Sequence, residues 1–169
     1  MLHTFQPLGL EYAQFNPFNK IGKDWVLITA GDENKVNTMT AGWGGAGVMW
    51  GKNVAFIVIR ESRYTKEFID KHDTFSVTFL DKSQRAAMKY LGQVSGRDED
   101  KIGNARMHIN YHEGTPFIDE GSVVVICKKL SKTEILPDQF IDPEIDSKWY
   151  ADKDYHTMYI GEIVELMAR

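Results

Sequence analysis

Asn53-Val54-Ala55-Phe56-Ile57-Val58-Ile59-Arg60 is the stretch on which the fold turns. It is short, dominated by β-branched and aromatic residues, and bounded by polar ones, so it reads as a strand buried in a sheet. Working outward, Asp24 to Ala30 and Lys35 to Thr40 flank the polar turn Gly31-Asp32-Glu33-Asn34 and predict a hairpin. Thr74 to Leu80 alternates as a half-exposed strand does. Ser122 to Leu136 supplies one long or two short strands, and His156 to Met167 the last. Ser62 to His72 has apolar residues at near-helical spacing, with Ser62 and Thr65 available as caps. Ser83 to Leu91 predicts a second helix that stops at Gly92, and a third begins near Asp98. Leu136 to Asp154 is acidic and holds Pro137 and Pro143, which predicts a surface excursion before the final strand. The pattern is that of an all-β sheet or barrel with a few helical insertions.

The chain has 169 residues, 43% apolar and 26% charged, which places it in the range of one globular domain with a core that needs no staples. One cysteine, Cys127, forbids an intrachain disulfide and suits a reducing compartment; its strand neighbours predict an inert, buried thiol. Residues 1–20 lack a basic start and a continuous apolar run, so they read as an N-terminal extension rather than a signal peptide. No membrane span is expected, and the chain is placed in the cytoplasm. A net charge of −4 gives no general attraction to nucleic acid, while leaving room for a local basic site that holds one small phosphate.

Three motif matches are set aside. Gly42-Trp43-Gly44-Gly45-Ala46-Gly47 fits the dinucleotide fingerprint in spelling, yet only five residues separate Gly47 from Asn53, too few for a crossover helix. Its glycines serve tight bends and close backbone approach, either for packing or for a flat ligand. His108 and His112 are four apart, but Ile109 stands where a zinc-protease helix needs glutamate, and two ligands do not complete a site, so no metal is expected. Ser95 misses the spacing of a hydrolase nucleophile.

Two junctions carry more chemistry. Arg60-Glu61-Ser62-Arg63-Tyr64-Thr65 sets two guanidiniums and three hydroxyls where a strand meets a helix start, whose free N–H groups favour an anion. Arginine forks match phosphate oxygens and small hydroxyls add short hydrogen bonds; the same residues also make an ordinary helix cap with exposed arginines. Ser95-Gly96-Arg97-Asp98-Glu99-Asp100-Lys101 repeats the theme, and alone it also reads as a surface turn in which Asp98 caps the next helix.

Together with Thr29-Ala30-Gly31, Asn37-Thr38-Met39-Thr40, Trp43 and His156 before Tyr159-Ile160-Gly161-Glu162-Ile163, these residues resemble the flavin reductase-like FMN-binding split-barrel family, in particular its flavoredoxin-like branch. The resemblance spans about Trp25 to Met167. It implies a six-stranded-type split β-barrel with short helical insertions, binding FMN. It further implies that Thr38, Met39, Thr40 and Ala41 meet the flavin ring through backbone and hydroxyls, with Trp43 as an apolar wall. Arg60, Ser62, Tyr64 and Thr65 are implied to contact ribityl and phosphate; Ser95, Gly96, Arg97 and Lys101 to close over the same cofactor; and His156 to stand near the ring's reactive edge. The implied activity is oxidoreduction, with NAD(P)H a transient donor to the flavin and free flavin, a small molecule or a redox protein the acceptor. An FMN-bound electron carrier is the alternative, and a homodimer the implied assembly. Leu91 stands where many relatives have cysteine, and no proline follows Gly51-Lys52 at the bend.

Overall fold

The computed structural model describes residues 1–14 and 16–169. Among the described residues ten strands and five α-helices follow one another: β1 (Gln6–Pro7), α1 (Pro17–Lys20), β2 (Val26–Gly31), β3 (Val36–Ala41), β4 (Gly44–Met49), β5 (Lys52–Arg60), α2 (Tyr64–Lys71), β6 (Thr74–Phe79), α3 (Arg85–Gln93), α4 (Lys101–Asn104), β7 (Ile109–His112), β8 (Thr115–Ile118), β9 (Val123–Glu134), α5 (Pro143–Trp149) and β10 (His156–Ala168). The main sheet runs β3-β2-β6-β9-β10-β5-β4, with β1 added to the end of β10, and β7 and β8 form a separate hairpin. This is a split β-barrel with short helices. It has seven strands along its path rather than six, because the glycine-rich segment after Trp43 is itself a strand.

The sequence periodicity explains the two layers of packing. On β2 and β6 alternate residues point to opposite faces. Val26, Ile28, Phe75 and Val77 join Ile57, Ile59 and Tyr159 inside the barrel. Leu27 turns outward to a second cluster with Met88 and Leu91 of α3, Ile102 of α4 and Ile118 of β8. Both faces of β2 are therefore buried, which is why its run of apolar residues is unbroken by charge.

Several local expectations change. Gly44–Met49 pairs antiparallel with β5 from Gly44↔Ile57 to Met49↔Lys52, turning at Trp50 and Gly51, both at positive φ. The glycines here are a packing device: a Cβ on Gly45 would stand 2.6 Å from the Phe56 ring, and one on Gly44 2.8 Å from the Phe56 carbonyl. The third helix starts at Lys101, not near Asp98, and Asp100 caps it by accepting from the Gly103 amide at 3.1 Å. Helix α3 runs through Gly92 to Gln93; the glycine lets β3 lie close, since a Cβ there would meet Thr40 Cβ at 3.2 Å. Ser62 and Thr65 do not cap α2, whose N-cap is Arg63 without a side-chain bond. Cys127 is fully buried, and burial pushes its thiol pKa up, away from reactivity. No helix among the described residues is long and apolar enough to cross a membrane.

Candidate functional site

The two polar junctions meet in space. Arg97 donates from Nη1 to the Ser62 carbonyl at 3.2 Å, forms an ion pair with Glu67, and lays its guanidinium 4.6 Å from the centre of the Tyr64 ring. Arg63 donates to the Gly92 carbonyl at 3.1 Å. Gly96 fits against Asn37 and Tyr64 so closely that any Cβ would strike the Asn37 side-chain oxygen. Asn37 in turn donates from its amide to Thr65 Oγ1 at 2.8 Å, with both side chains buried. Asn37 is the residue that the sequence reading left out of the site. Its signal was an asparagine inside a strand, where that residue is disfavoured unless its amide has work to do.

Lys101 completes this corner. It is 4% exposed, and its ammonium donates to the carbonyls of Leu91 at 3.0 Å and Val94 at 3.2 Å. No carboxylate lies within ion-pair distance of it among the described residues. Burial, and then the nearby Arg63 charge, lower its pKa to about 8. A cation held under such cost is poised for an anion that would restore its charge.

From Asn37 the edge strand β3 leads about 13 Å, at ~3.3 Å per residue, to Ala41, two residues before Trp43. β3 is the last strand of the sheet, so one row of its backbone groups has no strand partner. Its side chains are all committed. Thr38 Oγ1 donates to the Ile28 carbonyl at 3.1 Å and lies 2.9 Å from Thr29 Oγ1, and Thr40 Oγ1 donates to the Met88 carbonyl at 2.5 Å. Met39 and Ala41 point into the barrel core. Strand alternation turns Thr40 toward α3 and Thr38 toward β2, where both hydroxyls are already engaged, and β3 is buried over most of its length. A cleft of about 310 Å³ runs beside it, lined by Trp25, Thr40, Gly42, Met88 and Gly92.

At the far end Trp43 packs edge-on to Trp149 at 5.2 Å and tilts over His156 at 4.9 Å. His156 is 8% exposed, with Nδ1 2.8 Å from the Tyr150 hydroxyl. Burial, then repulsion from Arg60, lower its pKa to about 4, so the ring is neutral at pH 7. Between about pH 4 and the ordinary value of 6.5 the unfolded chain binds a proton that the folded chain refuses, so folding stability rises with pH across that window and is lost as pH falls through it. Urea titration at pH 4.5 and pH 7 should show this loss in the parent, at most about 3 kcal/mol, and a smaller one in His156→Gln.

Arg60 and Ser62 make their side-chain hydrogen bonds to residues 149–155. Arg60 donates to the Asp154 and Trp149 carbonyls, each at 2.9 Å, and to Asp152 at 3.2 Å, while its guanidinium lies 5.4 Å from the Tyr150 ring. Ser62 gives its amide and hydroxyl to the Asp154 carboxylate. Both residues brace residues 149–155, a strap that carries Tyr150 into contact with His156. Arg60→Ala is accordingly expected to loosen the strap, seen as faster proteolytic nicking between residues 149 and 155. His108 pairs with Glu120 at 2.7 Å, and His112 stands 3.9 Å from Glu165. No group of three or more potential metal ligands gathers among the described residues.

The flavin reductase like domain matches residues 18–169 of the chain. No curated protein matches it by sequence. Among solved structures, a flavoredoxin from Methanosarcina acetivorans superposes with a TM-score of 0.69 at 24% identity, covering 86% of this chain and 68% of its own. An FMN-binding domain of a flavin reductases-like enzyme from Shewanella baltica gives 0.70 at 19% identity, covering 99% and 78%. The NADH:FAD oxidoreductase of Streptomyces globisporus gives 0.64 at 16%, covering 86% and 76%. At these identities the likeness concerns the fold, which is the same split barrel.

Proposed function

Because the chain belongs to the flavin reductase-like domain family, we propose that it is an FMN-dependent oxidoreductase, an NAD(P)H-driven flavin reductase. The observation that carries this reading is the pairing of a buried, carboxylate-free lysine near one end of β3, the last strand of the sheet, with a tryptophan and a neutral histidine beyond the other. That is the layout required by a ligand with a phosphate at one end and a planar ring at the other. When bound, FMN supplies the two-electron chemistry between donor and acceptor.

The chain's own residues do the rest. Lys101, Arg97 and Ser95 hold the phosphate, with Asn37 and Thr65 fixing the floor beneath it and Gly96 leaving the space. The stretch from Thr38 to Ala41 would lie along the ring's polar margin, where backbone N–H groups would favour negative charge. Trp43 walls the ring. His156 keeps one proton on its imidazole across the working pH range and, oriented by Tyr150, offers it or holds it at that margin; the strap braced by Arg60 and Ser62 keeps Tyr150 in place. Homodimerisation and residence in the cytoplasm belong to the same proposal.

Anaerobic stopped-flow mixing of FMN-loaded protein with NADH or NADPH tests it. Bleaching of the flavin absorbance within turnover times supports the reductase. The second reading, an electron carrier for a redox protein, is favoured by the apolar tip of the β4–β5 hairpin, where Val48, Met49 and Trp50 are exposed. A yellow protein inert to both nucleotides but reduced by a protein donor would select it.

A further inference from the structure

A cavity of about 510 Å³ lies inside one end of the barrel, away from the phosphate corner. Its floor is built by Val26, Ile57, Phe79, Val125 and Leu166, from five different strands. Leu8 and Leu10 of the N-terminal segment form its cover, which is fastened where the Leu8 amide donates to the Leu166 carbonyl at 2.7 Å. The volume falls within the ~300 to 1,000 Å³ range of small-molecule sites. The space is partly open to solvent past Trp43 and Phe56, so an apolar occupant gains by removing its own and the lining's apolar surface from water.

The lining also states the occupant's charge. No Asp or Glu contributes to it, and its one charged residue is Lys20, exposed at the rim beside Tyr12 and Gln14. Lys20 has no acidic partner within ion-pair distance among the described residues. An apolar body with a single anionic end satisfies both features: the body removes the apolar lining from water, and the anion meets the ammonium in water, where it needs no desolvation. A cationic or zwitterionic guest would find no counter-charge. Trp43 belongs to this lining as well as to the His156 cluster, so one indole is shared between cavity and candidate flavin site.

We propose that this cavity is a second ligand site, distinct from the phosphate corner, which takes an apolar organic carboxylate with its chain in the barrel and its carboxylate at Lys20. The probes are decanoate, decanol and decyltrimethylammonium, titrated below their micelle thresholds into the full chain as purified and read by tryptophan fluorescence and calorimetry. Decanoate should bind with 1:1 stoichiometry and more tightly than either analogue. Lys20→Glu, at an exposed position that leaves the fold intact, should weaken decanoate by about fivefold while leaving decanol unchanged. Ala46→Phe, which fills the cavity from the exposed edge strand β4, should weaken both by tenfold or more. Equal binding of all three probes, or decanoate binding indifferent to both variants, overturns the assignment. So does decanoate that is expelled as rising protein concentration drives dimer formation, since a second copy of the chain then fills the space. The flavin spectrum, read in the same samples, reports separately on the phosphate corner.

Discussion

Lys101→Met is expected to raise the dissociation constant for FMN by roughly ten- to one-hundredfold, read as the flavin-to-protein ratio after gel filtration and as quenching of flavin fluorescence on titration. The magnitude is that of one charge-assisted hydrogen bond, about 1.5 to 3 kcal/mol, removed from a buried site. Methionine keeps the volume of the side chain but cannot serve the Leu91 and Val94 carbonyls, so near-ultraviolet circular dichroism of the apoprotein accompanies the measurement. The pH dependence separates charge from shape. With the lysine pKa lowered to about 8, the parent loses FMN affinity as pH rises from 7 to 9, whereas the methionine variant does not. Stability of the apoprotein moves the opposite way. Between about pH 8 and 10.5 the unfolded chain carries a proton at this lysine that the folded chain has shed, so the parent gains stability with rising pH and the variant does not. Flat affinity profiles in both proteins would remove Lys101 from the phosphate site.

Gly161→Val should lower the thermal midpoint by about 6 to 12 °C, which corresponds to roughly 3 kcal/mol for a domain of this size. Gly161 sits at an irregularity of the β9–β10 ladder, and a Cβ there would stand 2.9 Å from both Cys127 Cβ and the Phe75 ring, each of which is fully buried. Neither neighbour has room to retreat. Phe75→Leu in the same chain should return part of the loss, because the two positions share one space and their effects do not add. An unchanged midpoint in Gly161→Val would mean that the barrel yields at this point more readily than its packing indicates.

That glycine shows how the sequence can be read correctly as a pattern and incompletely as physics. Tyr159-Ile160-Gly161-Glu162-Ile163 carried part of the family likeness, yet only the coordinates show that its glycine makes way for Phe75. The buried strands β2, β5 and β6 were legible because β-branched and aromatic runs have few other uses. β4 was not, because Gly44 to Met49 is an edge strand shaped to pass Phe56, and its composition resembles a bend. The two junctions stood out by their residue types, and the structure brings them together through Arg97, Tyr64 and Gly96. The division of labour within Arg60 to Thr65 was not legible. The chain turns at Glu61 and Ser62, sending Thr65 to Asn37 and Ser62 to Asp154, and the latter partner lies 92 residues away. Likewise the period of two says that Thr38 and Thr40 share a face, but not that α3 covers it.

The barrel's two sheet margins have a consequence for handling the protein. β3 and β4 each end the sheet with backbone groups that no strand of the same chain takes up, and the β4 turn displays Val48, Met49 and Trp50 to solvent. Of the two, β4 is the exposed one, and an exposed edge with an apolar tip recruits other chains. Colloidal behaviour is thereby tied to β4: its exposed edge is a template for intermolecular pairing, and turbidity on storage is the expected sign of it.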